Sequence, residues 1–167
     1  MIIPIVDEDD NILCYKDASE RDGTKEITRT SALWLSNEQG EFLVAKRSKY
    51  KKFHPNLWNI SVSGTNEEGE TYESNIVKET KEELGVVLSE IIDGPKELIS
   101  KERLFFVKYF FAQIPKSTSF ILQESEVDEV KWISLAELKK WFSEKPQEFS
   151  SHFNYGLKAI ENYANQS

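Results

Sequence analysis

Hydrophobic and polar positions alternate with a period of two along several short runs, and the period changes to that of a helix in three places. Residues 2–6 and 12–15 are β-prone and separated by the acidic stretch DEDDN, which predicts an N-terminal hairpin. Asp7, Asp9 and Asp10 are read as turn residues, with metal binding as the sharper alternative. A polar stretch turns at Asp22-Gly23. A strand over residues 27–35, a turn at 37–40 and a returning strand over 41–45 follow. Residues 57–63 alternate and predict one further strand. Beyond the first helical segment, residues 86–92 are β-prone and Gly94-Pro95 marks a turn. The most apolar run, LFFVKYFFAQI, predicts a buried central strand. Ser134 is the predicted cap of a helix over residues 135–142, with Glu137 at the reciprocal capping-box position. Phe149, Phe153, Leu157 and Ile160 mark a last amphipathic helix over residues 148–165.

The first helical segment, residues 71–84, carries the chemistry. Ile76, Val77, Thr80 and Leu84 form its apolar stripe, and Gly85 supplies the stop. Glu79, Glu82 and Glu83 fall within an arc of roughly 100°, which the spacing turns away from that stripe. Glutamates four apart repel by a few tenths of a kcal/mol, and a divalent cation among them reverses that sign. With Glu70 in the preceding loop, three carboxylates on one face suit a hard ion such as Mg²⁺ or Mn²⁺. Taken alone, the same residues also describe a solvated acidic face neutralised by Lys78 and Lys81.

Composition narrows the class. The chain of 167 residues, 39% hydrophobic and 30% charged, suits one globular domain. A net charge of −8 disfavours bulk nucleic-acid binding and requires local positive charge or metal for any anionic substrate. That positive charge is local: Lys46, Arg47, Lys49, Lys51 and Lys52 place five cations in seven residues. Arg47 is the first choice for a phosphate, since its fork can grip two oxygens; a solvated loop is the alternative reading. His54, preceding Pro55, is expected to be extended. Tyr50, Phe53 and Trp58 are candidates for stacking on a base, or for the core. Cys14 is the single cysteine, so no internal disulfide forms. No apolar run is long enough to span a bilayer and the N-terminus is acidic, so a cytoplasmic location is expected.

The spacing from Gly64 to Val86 resembles the Nudix box: Gly, five residues, Glu, seven residues, then Arg-Glu-apolar-any-Glu-Glu-any-Gly-apolar. Gly64, Glu70, Glu79, Glu82, Glu83, Gly85 and Val86 match, seven of nine defined positions. Lys78 stands in place of Arg, and Thr80 in place of an apolar residue. The resemblance extends over residues 27–142, and RSKYKKFHPNLWNISVSGT is similar to the branch that includes isopentenyl-diphosphate isomerase. It implies an α/β (α+β) Nudix fold, a mixed β-sheet sandwiched between helices, here behind the N-terminal hairpin. The expected organisation is one domain, with residues 1–26 as an extension, 27–142 as the core and 148–165 as the C-terminal helix.

The resemblance further implies a metal set of Glu79, Glu82, Glu83 and the backbone carbonyl of Ser63. Glu79 is a ligand or the proton acceptor, and Glu82 belongs to the catalytic set. Glu70 and Lys78 act one layer behind the metal. A further glutamate completes the site: Glu126 or Glu129, with Glu124 behind them. Arg47, Lys51, Lys52 and Trp58 are assigned to substrate. The expected reaction is Mg²⁺- or Mn²⁺-dependent hydrolysis of a diphosphate linkage in a nucleoside diphosphate derivative or related small molecule. Isomerase chemistry is the alternative, but Val62, Ser63 and Thr65 stand where its cysteine would be. A binding module without catalysis is another, set against the retention of all four glutamates. The only protein partner left open is a second copy, as a homodimer.

Overall fold

The computed structural model describes residues 1–166. Among these residues nine strands and three α-helices are formed. The strands are β1 (Ile2–Val6), β2 (Ile12–Asp17), β3 (Thr28–Ser36), β4 (Phe42–Arg47), β5 (Trp58–Asn59), β6 (Val62–Thr65), β7 (Ile92–Ser100), β8 (Leu104–Gln113) and β9 (Val127–Ile133). The helices are α1 (Tyr72–Leu84), α2 (Leu135–Glu144) and α3 (Phe153–Asn165). β1 and β2 form the predicted antiparallel hairpin. The other strands form one mixed sheet in the order β5-β4-β3-β8-β7, with β6 added beside β3 and β9 beside β4. β3 and β8 run parallel at its centre.

The period-two alternation explains the layers. Ala32 and Trp34 of β3, Phe42 and Val44 of β4, and Val107, Tyr109 and Phe111 of β8 point to one face, where α2 and α3 cover them. Leu33, Leu35, Leu43, Phe110 and Ala112 point to the other, under Ile76 and Leu84 of α1. The sheet is therefore sandwiched between helices, as expected. A third cluster of Val6, Ile27 and Phe106 seats the hairpin against Tyr72.

Several local expectations are corrected. The strand expected over residues 57–63 is broken at Ile60-Ser61, where the chain crosses from β4 to β3. β3 and β4 pair only at Ser36 and Phe42 and then splay. Ser61 fills the gap: its hydroxyl accepts from the Leu35 N–H at 2.9 Å and donates to the Leu43 carbonyl at 2.6 Å. Residues 86–91 are not a strand, and Gly94-Pro95 is not a turn. It is an irregularity inside β7, between Asp93 and Lys96. A Cβ at Gly94 would meet Phe111 and the Tyr109 carbonyl at 2.7 Å, so only glycine lets β7 lie that close to β8.

The last helix starts at Phe153 rather than 148, because residues 149 and 150 pair with β5: Phe149 bridges Trp58, and Ser150 N–H bonds the Trp58 carbonyl. Ser134 caps α2 as expected, accepting from the Glu137 N–H, and the helix runs on to Glu144. His54 is not extended but left-handed, with φ of 52°. Its ring lies edge-on to His152, and Ser151 Oγ is 3.3 Å from its Nε2.

Candidate active site

Thr71 and Ser74 start α1 with a reciprocal cap: Thr71 Oγ1 accepts from the Ser74 N–H at 3.0 Å and Ser74 Oγ from the Thr71 N–H at 2.9 Å. Gly85, left-handed at φ 69°, ends it. Ile76, Thr80 and Leu84 are fully buried, as the stripe requires, but Val77 faces solvent. The Thr80 hydroxyl donates to the Ile76 carbonyl at 2.7 Å, so a polar residue at this position enters the core with its hydrogen bond made. The arc of glutamates does not turn away from the stripe. Glu83 adjoins Ile76 and is only 7% exposed, Glu79 is half-buried, and Glu82 is exposed on the rim.

The α1–β6 contact positions Glu79. Its side chain lies on the backbone of Gly64, close enough that a Cβ there would stand 2.5 Å from Glu79 Cγ. In the loop just before the Thr71 cap, Glu70 is fastened on both oxygens. Oε2 accepts from the Glu67 N–H at 2.9 Å and Asn75 Nδ2 at 2.8 Å, and Oε1 meets Lys78 Nζ at 2.5 Å. Burial pushes the Glu70 carboxyl up, but these partners outweigh it and hold it below the usual range. Lys78 also reaches Glu67 at 3.2 Å, and stops 3.9 Å short of Glu79. Its single ammonium serves Glu70 first and Glu79 least.

Glu79 and Glu83 are in the opposite electrostatic state. Burial pushes the Glu79 carboxyl up to about 7; Lys78 opposes, and Glu82, Glu70 and Glu126 add to the rise. Burial raises Glu83 well above the carboxylate range, and Glu79 and Glu126 raise it further. Among the described residues no lysine or arginine forms an ion pair with Glu83. A buried carboxylate pressed by two others is short of positive charge, and an all-oxygen donor set is what Mg²⁺ or Mn²⁺ takes. The residues fit such an ion in kind. Among the described residues no group of three His, Cys, Asp or Glu side chains is arranged to hold a metal ion.

Facing Glu83 is a cleft lined by Arg47, Lys51, Ser63 and Glu126. Arg47 donates from Nε and Nη2 to the Phe53 carbonyl at 3.1 and 2.9 Å, which folds the basic loop back over β4. Lys51 pairs with Glu126. Ser48, fully buried, ties the basic and acidic loops together: its N–H donates to the Glu126 carbonyl at 2.9 Å and its hydroxyl to the Glu124 carbonyl at 2.7 Å. Sequence reasoning missed Ser48, and its only signal is a small polar residue between cations.

The structure thus brings Ser63, Glu79, Glu83, Arg47, Lys51 and Glu126 to one region. Of the three acids left open, Glu126 is half-buried and lines the cleft. Glu129 is exposed on β9 opposite Lys46, and Glu124 is exposed with only its carbonyl engaged. Two expected substrate residues are elsewhere. Lys52 is exposed with its ammonium over the Phe53 ring, 5.5 Å from its centroid. Trp58 packs edge-on against Trp141 at 5.3 Å, on the face that α2 and α3 cover. Asp7 accepts from the Asp9 and Asn11 N–H groups, as a turn residue does, and Asp10 is paired with Arg29 and Lys96.

Comparison with known proteins places this geometry. The NUDIX domain family matches residues 26–153. The isopentenyl-diphosphate Delta-isomerase of Klebsiella pneumoniae is 29% identical over 127 residues, 70% of this chain. This chain spans 66% of that protein's length, and only 32% of the isomerase from a second Klebsiella strain. The prenyl-diphosphate phosphatase of Methanosarcina mazei is 27% identical over 161 residues, 95% of this chain and 94% of that one. The crystal structure of DR0079 from Deinococcus radiodurans superposes with a TM-score of 0.77 at 20% identity, over 90% of this chain and 92% of that one, and so shares the fold. With the family match covering most of the chain and the box glutamates standing on α1 beside β6, this chain belongs to the Nudix family and resembles its isopentenyl-diphosphate isomerase-like members.

Proposed function

We propose that this chain is a divalent-metal-dependent hydrolase that cleaves a diphosphate linkage in a nucleoside diphosphate derivative or a related small molecule. The observation that carries this reading is the buried Glu83 carboxylate, pressed by Glu79 and Glu126, across a cleft from Arg47 and Lys51. Acids and cations line one cleft, where a metal ion would neutralise the buried Glu83 and a diphosphate would meet Arg47 and Lys51.

Glu79, Glu82, Glu83 and the Ser63 carbonyl would hold Mg²⁺ or Mn²⁺. Such an ion, when bound, neutralises the diphosphate and makes a bound water acidic near neutral pH. The rest is the work of the chain. Glu79 is either one of those ligands or the group that takes a proton from the attacking water. Arg47 and Lys51 hold the diphosphate; Lys51 would exchange Glu126 for phosphate, which frees Glu126 to complete the acidic set. Glu70, fixed by Asn75 and Lys78, keeps the start of α1 in place. The whole chain is read as one Nudix domain carrying a hairpin at residues 1–26. The name of the Methanosarcina relative makes prenyl diphosphates the first non-nucleotide substrates to try.

Isomerase chemistry lacks its thiol here. Val62 and Ser63 precede Gly64, and Cys14 stands exposed on β2. The test is phosphate release from a panel of nucleoside diphosphate derivatives and prenyl diphosphates, with and without Mg²⁺, alongside a Mn²⁺ titration. Metal-dependent release on one class carries the reading. No release on any, together with no Mn²⁺ uptake, sinks it.

A further inference from the structure

Asp10 sits at the tip of the N-terminal hairpin, outside the residues that match the family. Its backbone is left-handed, with φ of 65°, yet its side chain is only 8% exposed. Three groups from three different elements converge on that carboxylate. Arg29 Nε of β3 donates to Oδ1 at 2.7 Å, and Arg29 Nη2 donates to the Asp10 carbonyl at 2.6 Å. Tyr72 Oη, on the first residue of α1, donates to Oδ2 at 2.9 Å, and Lys96 Nζ of β7 donates to Oδ2 at 2.8 Å. The Arg29–Asp10 pair is shielded from solvent, and such pairs hold geometry far better than exposed surface pairs.

These contacts lead toward the site. The Tyr72 carbonyl lies 2.8 Å from Ser31 Oγ, which is 2.9 Å from the Asn66 side chain in the loop that follows Thr65. A second tie runs from the same hairpin: the Glu68 N–H, two residues before Glu70, donates to the Ile2 carbonyl at 2.9 Å. Below both, Val6, Ile27 and Phe106 pack against the Tyr72 ring. The hairpin therefore grips β3, the loop of Glu70 and the first turn of α1, and also touches β7 through Lys96 and β8 through Phe106. From Tyr72 to Glu79 is about 10 Å along a rigid helix. At its far contact the helix meets β6, where the Glu79 side chain lies against the Gly64 backbone. A small shift at Tyr72 is passed directly to the carboxylates.

We propose that Asp10 is a positioning residue: through Tyr72 and Arg29 it clamps the first turn of α1 onto β3 and so sets where Glu79 and Glu83 stand. This rests on the metal-hydrolase reading above. It makes the hairpin part of the machinery rather than an ornament on it.

The test compares the full-length chain with Asp10→Ala, Asp10→Asn and Tyr72→Phe. Mn²⁺ affinity is measured by electron paramagnetic resonance, hydrogen exchange over residues 66–79 by mass spectrometry, and thermal melting in parallel. Asp17→Ala, at the open end of the same hairpin, is the control and should bind Mn²⁺ as wild type does. The expected result is about a tenfold loss of Mn²⁺ affinity in Asp10→Ala, of the size that loss of a ligand's supporting contact produces. Asp10→Asn and Tyr72→Phe should move the same way by less, with faster exchange over residues 66–79, while each variant still melts above the assay temperature. Asp10→Ala that melts earlier yet binds Mn²⁺ like wild type overturns the proposal. If Asp10→Ala does not fold, Tyr72→Phe decides alone, since it removes one hydroxyl. A wild-type protein that binds Mn²⁺ but hydrolyses nothing fails the hydrolase reading and leaves this comparison standing. If wild type takes up no Mn²⁺, exchange decides, and unchanged exchange in Asp10→Ala overturns the clamp.

Discussion

Glu79 lies across Gly64 with no room for a side chain between them: a Cβ on Gly64 would stand 2.5 Å from Glu79 Cγ and 2.7 Å from Cδ. The glycine is needed for a close approach, not for a turn, since its φ lies outside the left-handed region. Gly64→Ala should fold with little loss of stability, because Glu79 is a flexible side chain that can swing aside. Activity should fall by about a hundredfold, the loss expected when a reacting group is displaced by an ångström. Steady-state kinetics beside a melting curve checks the split. A large fall in melting temperature with normal turnover would mean that the contact matters only for packing.

The raised carboxyls predict an unusual pH dependence of the metal-free protein. In the unfolded chain Glu79 titrates near 4.5, and in the folded chain near 7. Between those values the folded state holds the proton that the unfolded state has lost. Stability therefore falls as pH rises from about 4.5 to about 7, by on the order of 3 kcal/mol from Glu79. Glu83 adds a loss in the same direction. Mn²⁺ should restore stability at the alkaline end, where both carboxylates are free to bind it. Glu79→Gln should flatten the metal-free profile. Melting curves across this range, with and without Mn²⁺, are the measurement.

Lys78 holds Glu70 at 2.5 Å but reaches Glu79 only at 3.9 Å. A guanidinium carries five donors in a rigid fork and can serve both carboxylates at once. Lys78→Arg should raise kcat up to about tenfold by fixing Glu79 more firmly, with KM little changed. Lys78→Met should lower stability by about 1–3 kcal/mol, because Glu70 is left with too little positive charge.

Thr80 occupies a core position with its hydroxyl bonded to the Ile76 carbonyl. Thr80→Val should keep the shape, shed that back-bond and change stability by less than about 1 kcal/mol. Turnover should stay at the wild-type level, as measured under saturating substrate.

Trp58 offers the reverse test. Its ring is partly buried and packs on Trp141 against the core beneath α2 and α3. Trp58→Leu should cost about 2–4 kcal/mol in chemical denaturation and leave KM untouched. A KM that rises with stability intact would return Trp58 to the substrate site.

Much of this molecule was legible along the chain. The hairpin, β3, β8, α1 and its C-terminal end follow from short-range signals: β-prone runs, a helical period and a terminal glycine. The four box glutamates were legible too, since their spacing is a property of one loop and one helix. Glu83 was misjudged because an angular argument places residues around a helix without saying which neighbours close over them. The break at Ile60-Ser61 and the irregularity at Gly94-Pro95 were invisible for a related reason. Each exists to let one strand meet two partners, or two strands meet closely, and the partner is far away in sequence.

By itself, then, the sequence determined what is local: the strand and helix periods, the caps and the carboxylates in register on α1. Only the tertiary structure decided which residues meet. It took Glu126 rather than Glu129 to the cleft, because one precedes β9 beside Ser48 while the other points to solvent from within the strand. It sent Trp58 to the opposite core, and it brought Asp10 onto Tyr72 across 62 residues of chain. The physical reason is that hydrogen-bond and helix periods are set by neighbours a few residues apart. Burial, like-charge pressure and close approach depend on the other chain segments, which only folding brings near.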